Sequence, residues 1–373
     1  MDQFFLRVER KKLYLKIISA IMIALVWGLS VFLFAGQEVV RNPRKPISGN
    51  AGRVLEMQKV WQVGDEAGLF YFKNPHDLQV SSDGSIFVAD VEQLLKFSAD
   101  GRFEGNFYKK GQGPEEIAGF FFHRVYGNRL LIYDPTANKI IQMDLDGNFI
   151  GGLKLQKGPY NDFYGLSSGW FVFVEMVYPP LEKRTEGLHD VSCLIKLVSP
   201  DGQEEKEVYL FKMKTFLAPQ AGASWDPWNA LLSYDGRWLY VNCRRNYLVD
   251  VLDLKTGKLL FSFTRDYPSV KYVEKPVDIY FRKQYKFPKI EYEIDIRNMF
   301  LDKRFIWIQT STTDRKKGDL FDIFDESGRF IDSFYSGLKG SVLAVNGNYV
   351  YVLEKDEKEN LFLSKYFIVD SVK

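Results

Sequence analysis

Glycine-centred turns return through this chain at regular intervals, and they force it into short antiparallel strands. In residues 76–107, HDLQVSSDGSIFVADVEQLLKFSADGRFEGNF, alternating apolar runs at 86–89, 94–97 and 103–107 are separated by Asp83-Gly84, a polar corner at 90–93 and Asp100-Gly101. Asp-Gly between β-rich runs marks a hairpin, because Gly takes positive φ without a clash and tight turns require it. The stretch reads as a four-stranded antiparallel meander. Such a sheet has two apolar faces, so it needs neighbours of its own kind.

The rest of the chain supplies them. Runs at 130–133, 140–143 and 149–155 repeat the layout around Asp146-Gly147, with Asp134 at the place of Asp90. Further copies turn at Asp201-Gly202, at Asp235-Gly236 with Thr256-Gly257, and at Ser327-Gly328, and a sixth over 342–369 stops one strand short. Gly101, Gly147, Gly202, Gly257 and Gly328 fall at intervals of 46, 55, 55 and 71 residues. That period, lengthened by insertions, suits radial blades better than a sandwich. The expectation is an all-β, six-bladed β-propeller of four-stranded antiparallel blades over residues 54–373. The spare apolar run 54–63, VLEMQKVWQV, would complete the last blade and remove a free sheet edge.

The patterns SDGSIFVADVEQLLKFSADGRF and NRLLIYDPTANKIIQMDLDGNF, joined by Gly111-Gln112-Gly113-Pro114-Glu115-Glu116, resemble bacterial six-bladed propellers of the NHL-repeat-like kind. In that family an apolar strand ends in Asp, a corner follows, and a Gly-x-Gly-Pro link leads into the next blade. The resemblance covers residues 76–150 closely and the remainder by pattern, and Ile117 stands where the link often carries Phe. It implies the fold and no particular chemistry.

The N-terminus adds a separate signal. Arg7, Arg10, Lys11, Lys12 and Lys16 lie in a basic tail, 1–16, ahead of an uncharged apolar stretch, 17–36. That stretch is long enough for the ~20 residues that cross a bilayer as helix. The basic side stays cytoplasmic, which puts the propeller on the extracytoplasmic side, held by a transmembrane anchor. Secretion after signal cleavage is the alternative. Residues 37–53, with Pro43 and Pro46, read as a linker. A net charge of +2, from 50 basic and 48 acidic residues, gives no basic excess for a nucleic-acid partner. Cys193 and Cys243 fall in strand-like runs of different blades and read as buried thiols more than as a disulfide. Two insertions, 177–190 and 267–295, read as a surface loop and as a long link that packs its aromatics while its lysines reach solvent.

No phosphate loop, zinc-protease motif or nucleophile elbow is present, no residue can be assigned a catalytic role, and no metal or cofactor is called for. One constellation survives alignment of the repeats. Segments entering the innermost strands carry His76-Asp77, His123-Arg124 and Trp225-Asp226, which converge on one channel mouth if the blades do. Such a mouth suits a small polar or anionic ligand, a glycan, or a peptide end of a protein partner. The alternative is that the same groups cap strands and hydrogen-bond between blades. A metal-dependent, lactonase-like hydrolase is the other functional class, with Asp77, Asn161, Asp162, Asp226 and Asp295 as oxygen ligands. Arg124, Arg297 and Lys339 in the same ring would oppose a cation.

Overall fold

The computed structural model describes residues 38–66, 68–218 and 221–369. The basic tail and the apolar stretch 17–36 lie outside them. Among the described residues no helix is long and apolar enough to cross a membrane.

Six antiparallel sheets follow one another along the chain, each ordered from an inner to an outer strand. Blade 1 comprises Asp77–Val80, Ile86–Asp90, Gln93–Phe97 and Phe103–Asn106. Blade 2 starts at the inner strand Phe122–Tyr126, blade 3 at Asp162–Gly165, blade 4 at Asn229–Leu232, blade 5 at Ile296–Asp302 and blade 6 at Ser341–Asn346. The expected turns are in place, with φ of +87° at Gly84, +86° at Gly101 and +84° at Gly147.

Strand alternation explains why the blades must stack. In the second strand of blade 1, Ile86 and Val88 pack toward blade 6 against Tyr351 and Leu363, while Phe87 and Ala89 pack toward blade 2 against Leu130 and Ile132. Both faces are apolar because both are covered, so the strand is buried throughout. Equivalent clusters join blades 2 and 3, 3 and 4, 4 and 5, and 5 and 6, so that the hydrophobic contacts run around a closed ring. Cys193 and Cys243 are buried free thiols in the cluster between blades 3 and 4, where burial raises both above the usual thiol range, Cys243 to about 12.

The aspartates that end apolar strands are structural. Asp90, 1% exposed, accepts N–H groups from Lys73 and Asn74 at 2.7 Å, tying the segment that enters the blade to its corner. Asp134 does the same with Ala118 at 2.7 Å and with Ala137 at 2.9 Å.

The last blade is completed from the other end of the chain. Met57–Val63 pairs antiparallel with Leu361–Ile368, placing Val63 opposite Leu363 and Met57 opposite Ile368. The segment before it, read from sequence as a linker, is instead built into the sheets: Val39–Asn42 edges blade 4, and Arg53–Val54 runs parallel to Phe330–Tyr335 on blade 5. Outer strands leave a row of unpaired backbone groups, and this segment covers two of them.

The insertions also differ from their sequence reading. The 177–190 stretch is only partly loop, because Gly187–Val198 pairs with Glu205–Ala218 in a hairpin much longer than the repeat requires. The 267–295 stretch contains the helix Pro276–Gln284, none of whose residues is buried. Its Phe281 and Phe287 turn toward blade 3, with Phe287 at 4.9 Å from Phe216 and 6.0 Å from Trp225 between ring centroids.

Candidate functional site

The six inner strands surround a channel of about 510 Å³. Its lining follows from period-2 alternation: Asp77 and Gln79, Arg124 and Tyr126, Asp162 and Tyr164 lie two apart on their strands and face it together. Asn229 and Asn298 line blades 4 and 5, whereas blade 6 presents mainly apolar groups such as Leu343 and Val345.

Charge is concentrated on blades 1–3. Arg124 donates from Nη1 to Asp77 Oδ2 at 2.8 Å and to the His123 carbonyl at 2.8 Å, and from Nη2 to Asp162 Oδ1 at 2.7 Å. Its guanidinium also lies 5.1 Å from the Tyr164 ring centroid, and the Tyr164 hydroxyl donates to Asp162 Oδ2 at 2.9 Å. Gln79 Nε2 donates to Asp77 Oδ1 at 3.1 Å. Side-chain exposures of 17% for Arg124, 26% for Asp77 and 15% for Asp162 place the triad in the wall, not free in solvent. Burial pushes the Asp77 carboxyl up, but Arg124 and then His123 outweigh it and hold the group below the usual range. For Asp162 burial prevails over the pull of Arg124 and the carboxyl is raised. Arg124, desolvated but flanked by two carboxylates, is held more firmly protonated than usual.

His123 lies behind this wall and is 0% exposed. Its Nε2 is 3.3 Å from the Phe87 carbonyl, and its Nδ1 is 3.5 Å from Asp77 Oδ2 without a hydrogen bond. Burial lowers its pKa despite the attraction of Asp77. His76 is exposed at the mouth, with Nδ1 3.0 Å from the Asn74 carbonyl and its ring stacked 5.9 Å from Phe120.

Trp225 and Asp226 do not join these groups. Trp225 is covered by the Arg245 guanidinium at 4.9 Å, and its carbonyl accepts from Arg245 Nη1 at 2.9 Å. Asp226 accepts the Lys214 N–H at 2.6 Å and so closes the extended hairpin of blade 3. The long hairpin, invisible to the repeat alignment, draws both residues outward and leaves Trp228 and Asn229 on the channel. Asp162, named from sequence as an oxygen ligand, does line the channel, beside Asn229, whereas Gln79, Tyr164 and Asn298 are lining groups that the sequence reading did not single out. The signal for them was the i, i+2 pattern within each inner strand. The other oxygen ligands considered for a metal are also dispersed: Asn161 accepts from the Met176 N–H at 2.8 Å and Asp295 from the Tyr247 N–H at 2.9 Å.

A family model, DUF5128, described as a 6-bladed beta-propeller, matches residues 69–189. The fold is a six-bladed β-propeller. Among solved structures, a candidate exported protein of Bacteroides fragilis superposes with a TM-score of 0.52 at 12% identity, covering 89% of this chain and 100% of its own. A member of the DUF4221 family from Bacteroides vulgatus gives 0.51 at 10% identity, over 86% of this chain and 99% of its own. Identities this low speak for the fold alone. No curated protein matches the sequence.

Proposed function

We propose that this propeller is a membrane-tethered, extracytoplasmic binding module that takes a small hydroxyl- or amine-bearing ligand, a sugar or a peptide end, into its channel mouth without turning it over. The observation that carries the reading is the Asp77–Arg124–Asp162 triad at the wall of a channel lined from all six blades. Two carboxylates surround one guanidinium, so the charged set is net negative. Arg124 already donates to both acids and to a carbonyl, and a phosphate or carboxylate ligand would have to displace one of them. Ligand N–H and O–H groups meet acceptors instead, and Gln79, Asn229 and Asn298 add polar contacts across the channel. The anionic ligands that suit an unpaired Arg124 are therefore disfavoured.

The tether rests on the uncharged stretch 17–36 and the basic residues before it. The description of the Bacteroides fragilis neighbour as a candidate exported protein agrees with an extracytoplasmic propeller.

A thermal-shift screen of the full-length chain against sugars, polyols, amines and short peptides, with and without Ca²⁺, tests the site. A compound of these classes should raise the melting temperature, and Gln79→Ala with Asn298→Ala should abolish that rise while leaving the unliganded transition within about 2 °C, since these half-buried side chains fall short of core packing. Stabilisation by none of these classes, or metal-dependent turnover of a lactone or ester, would overturn the reading.

A further inference from the structure

The insertion between blades 4 and 5 brings several exposed apolar side chains together on one short stretch. Val273 is 79% exposed, Tyr280 61%, Val277 53% and Ile279 38%. The helix Pro276–Gln284 is amphipathic in an inverted sense. Asp278, Phe281 and Tyr285, spaced i, i+3, i+7, make its inner contacts, where Asp278 accepts from the Tyr272 hydroxyl and the Lys275 N–H and Phe281 packs near Phe287. Ile279 and Tyr280 lie on the opposite side, facing solvent, and Val277, one turn before Phe281, sits at the exposed edge between the two sides.

The charge along the insertion is predominantly positive, with Glu186 beside Lys286 and Glu291 and Glu293 beside residues 270–272 as the acidic neighbours. Residues 271–289 hold six basic and two acidic groups. Glu274 is paired with Arg282, and Asp278 is taken up by Tyr272 and the helix start. Lys271, Lys275, Lys283, Lys286 and Lys289 are exposed and make no ion pair among the described residues, although the Glu186 carboxylate accepts the Lys286 N–H. Valine, isoleucine and tyrosine flanked by unpaired lysines form a surface suited to the headgroup region of an anionic bilayer, with the apolar groups dipping in and the lysines meeting phosphates.

The chain's connectivity favours a lipid surface over a protein partner. Asp266, at the root of the insertion, donates its N–H to the Asn42 carbonyl at 3.1 Å. Five residues lie between the end of the stretch 17–36 and Asn42, a span of at most ~20 Å of extended chain. A tether there keeps the root of the insertion within reach of a bilayer.

We infer that the 271–289 crest docks on an anionic lipid surface and is a second membrane contact beside the tether. This rests on the tethered reading of the chain, and the experiment separates the two. Cys193 and Cys243 are 0% and 1% exposed, so a single added surface cysteine takes an environment-sensitive fluorophore selectively. The full-length chain carries the label at Val277→Cys or, as a control on the opposite mouth, at Tyr234→Cys, where the native side chain is 66% exposed. With phosphatidylglycerol vesicles, emission from position 277 should shift to the blue and be quenched severalfold more strongly by nitroxide-headgroup lipid than emission from position 234. Charge reversal by Lys275→Glu, Lys283→Glu and Lys286→Glu, or salt at about 0.5 M, should cut that quenching by more than half. Flotation on phosphatidylcholine vesicles that resists alkaline carbonate reads the tether by itself. A chain that floats while position 277 stays as wet as position 234 overturns the crest and leaves the tether. Quenching at 277 without carbonate-resistant flotation upholds the crest and removes the tether. A blue shift at 277 without lipid quenching means a protein or second copy covers the crest, which also overturns the inference.

Discussion

Arg124 shows how one side chain can be mistaken for a free ligand-binding group. In sequence it is a cation near a channel mouth. In the fold it holds three blades together, through Asp77 on blade 1, its own strand on blade 2 and Asp162 on blade 3. Arg124→Ala leaves two largely buried carboxylates facing each other with no counter-charge. Breaking such a pair costs about 3 kcal/mol, so the unliganded melting temperature should fall by roughly 5 °C. Adding Asp77→Asn and Asp162→Asn to Arg124→Ala should recover most of the loss, which calorimetry of the single and triple variants checks. A single variant that melts with the wild type would mean that the triad is solvated and weak.

His123 acts at the same scale but through pH. It is buried and neutral, and burial holds its pKa below the ordinary 6.5. As pH falls, the unfolded chain takes the proton first, so the stabilisation is complete above about 6.5 and drains away as pH drops toward the lower folded-state value. The groups around the ring are Asp77, which favours the proton, and Arg124 and His76, which oppose it. The Asp77 carboxyl is held low, so its own contribution is kept until pH falls into the usual carboxylate range and drains below this window. Melting temperatures of the wild type should decline between pH 7 and 5, and His123→Gln should flatten that decline. An equal slope in both proteins would place the acid sensitivity elsewhere.

At the scale of elements, what the sequence could reveal depended on how local the cause was. Asp83-Gly84 and Asp146-Gly147 turn where they do because of their own backbone preferences, so the meanders were legible without their neighbours. The burial of strands on both faces was legible too, as continuous apolar runs such as 86–89. The extended hairpin of blade 3 was not. Its strands Gly187–Val198 and Glu205–Ala218 continue past the repeat where 187–193 pairs with 211–217, and GLHD, following the charged KRTE, looks like loop until that cross-strand pairing supplies the reason for extension. That hairpin carries Trp225 and Asp226 away from the channel, which is why these two candidate residues fell outside it. His76, Asp77 and Arg124 reach the channel because they enter regular blades, while strand alternation turns His123 behind its wall. What alignment missed there was partnership: nothing in the order of residues says that Arg124 reaches Asp162.

For the whole molecule the decisive element is the segment 38–63, which runs along the outer edges of three blades. Asn42 donates from Nδ2 to the Thr264 carbonyl at 2.9 Å and the Gly328 carbonyl at 2.8 Å, and accepts the Phe330 N–H at 2.9 Å, joining blades 4 and 5. Arg53 grips Asp332, which is 0% exposed, with two bonds of 2.7 Å, and Ser48 adds a third at 2.9 Å. Only then does Met57–Val63 supply the fourth strand of blade 6. These parts make different contributions, which two deletions should separate. Removing residues 38–56 keeps the blade-6 strand but strips the buried Asp332 of Arg53 and Ser48 and uncovers two sheet edges. Urea unfolding should remain cooperative with stability lower by about 3–5 kcal/mol, and light scattering should rise with concentration as the bare edges pair. Removing residues 38–63 also takes away the strand that begins the chain's first blade-to-blade closure, so the contacts of Trp61 and Val63 with the blade 1 and blade 6 cluster are lost. A propeller cannot relax locally there, because each blade covers the faces of two others. The cooperative transition seen by tryptophan fluorescence should then broaden or vanish. Equal cooperativity in both deletions would mean that blades 1 and 6 hold together without the N-terminal strand and that the ring is closed by side-chain packing alone.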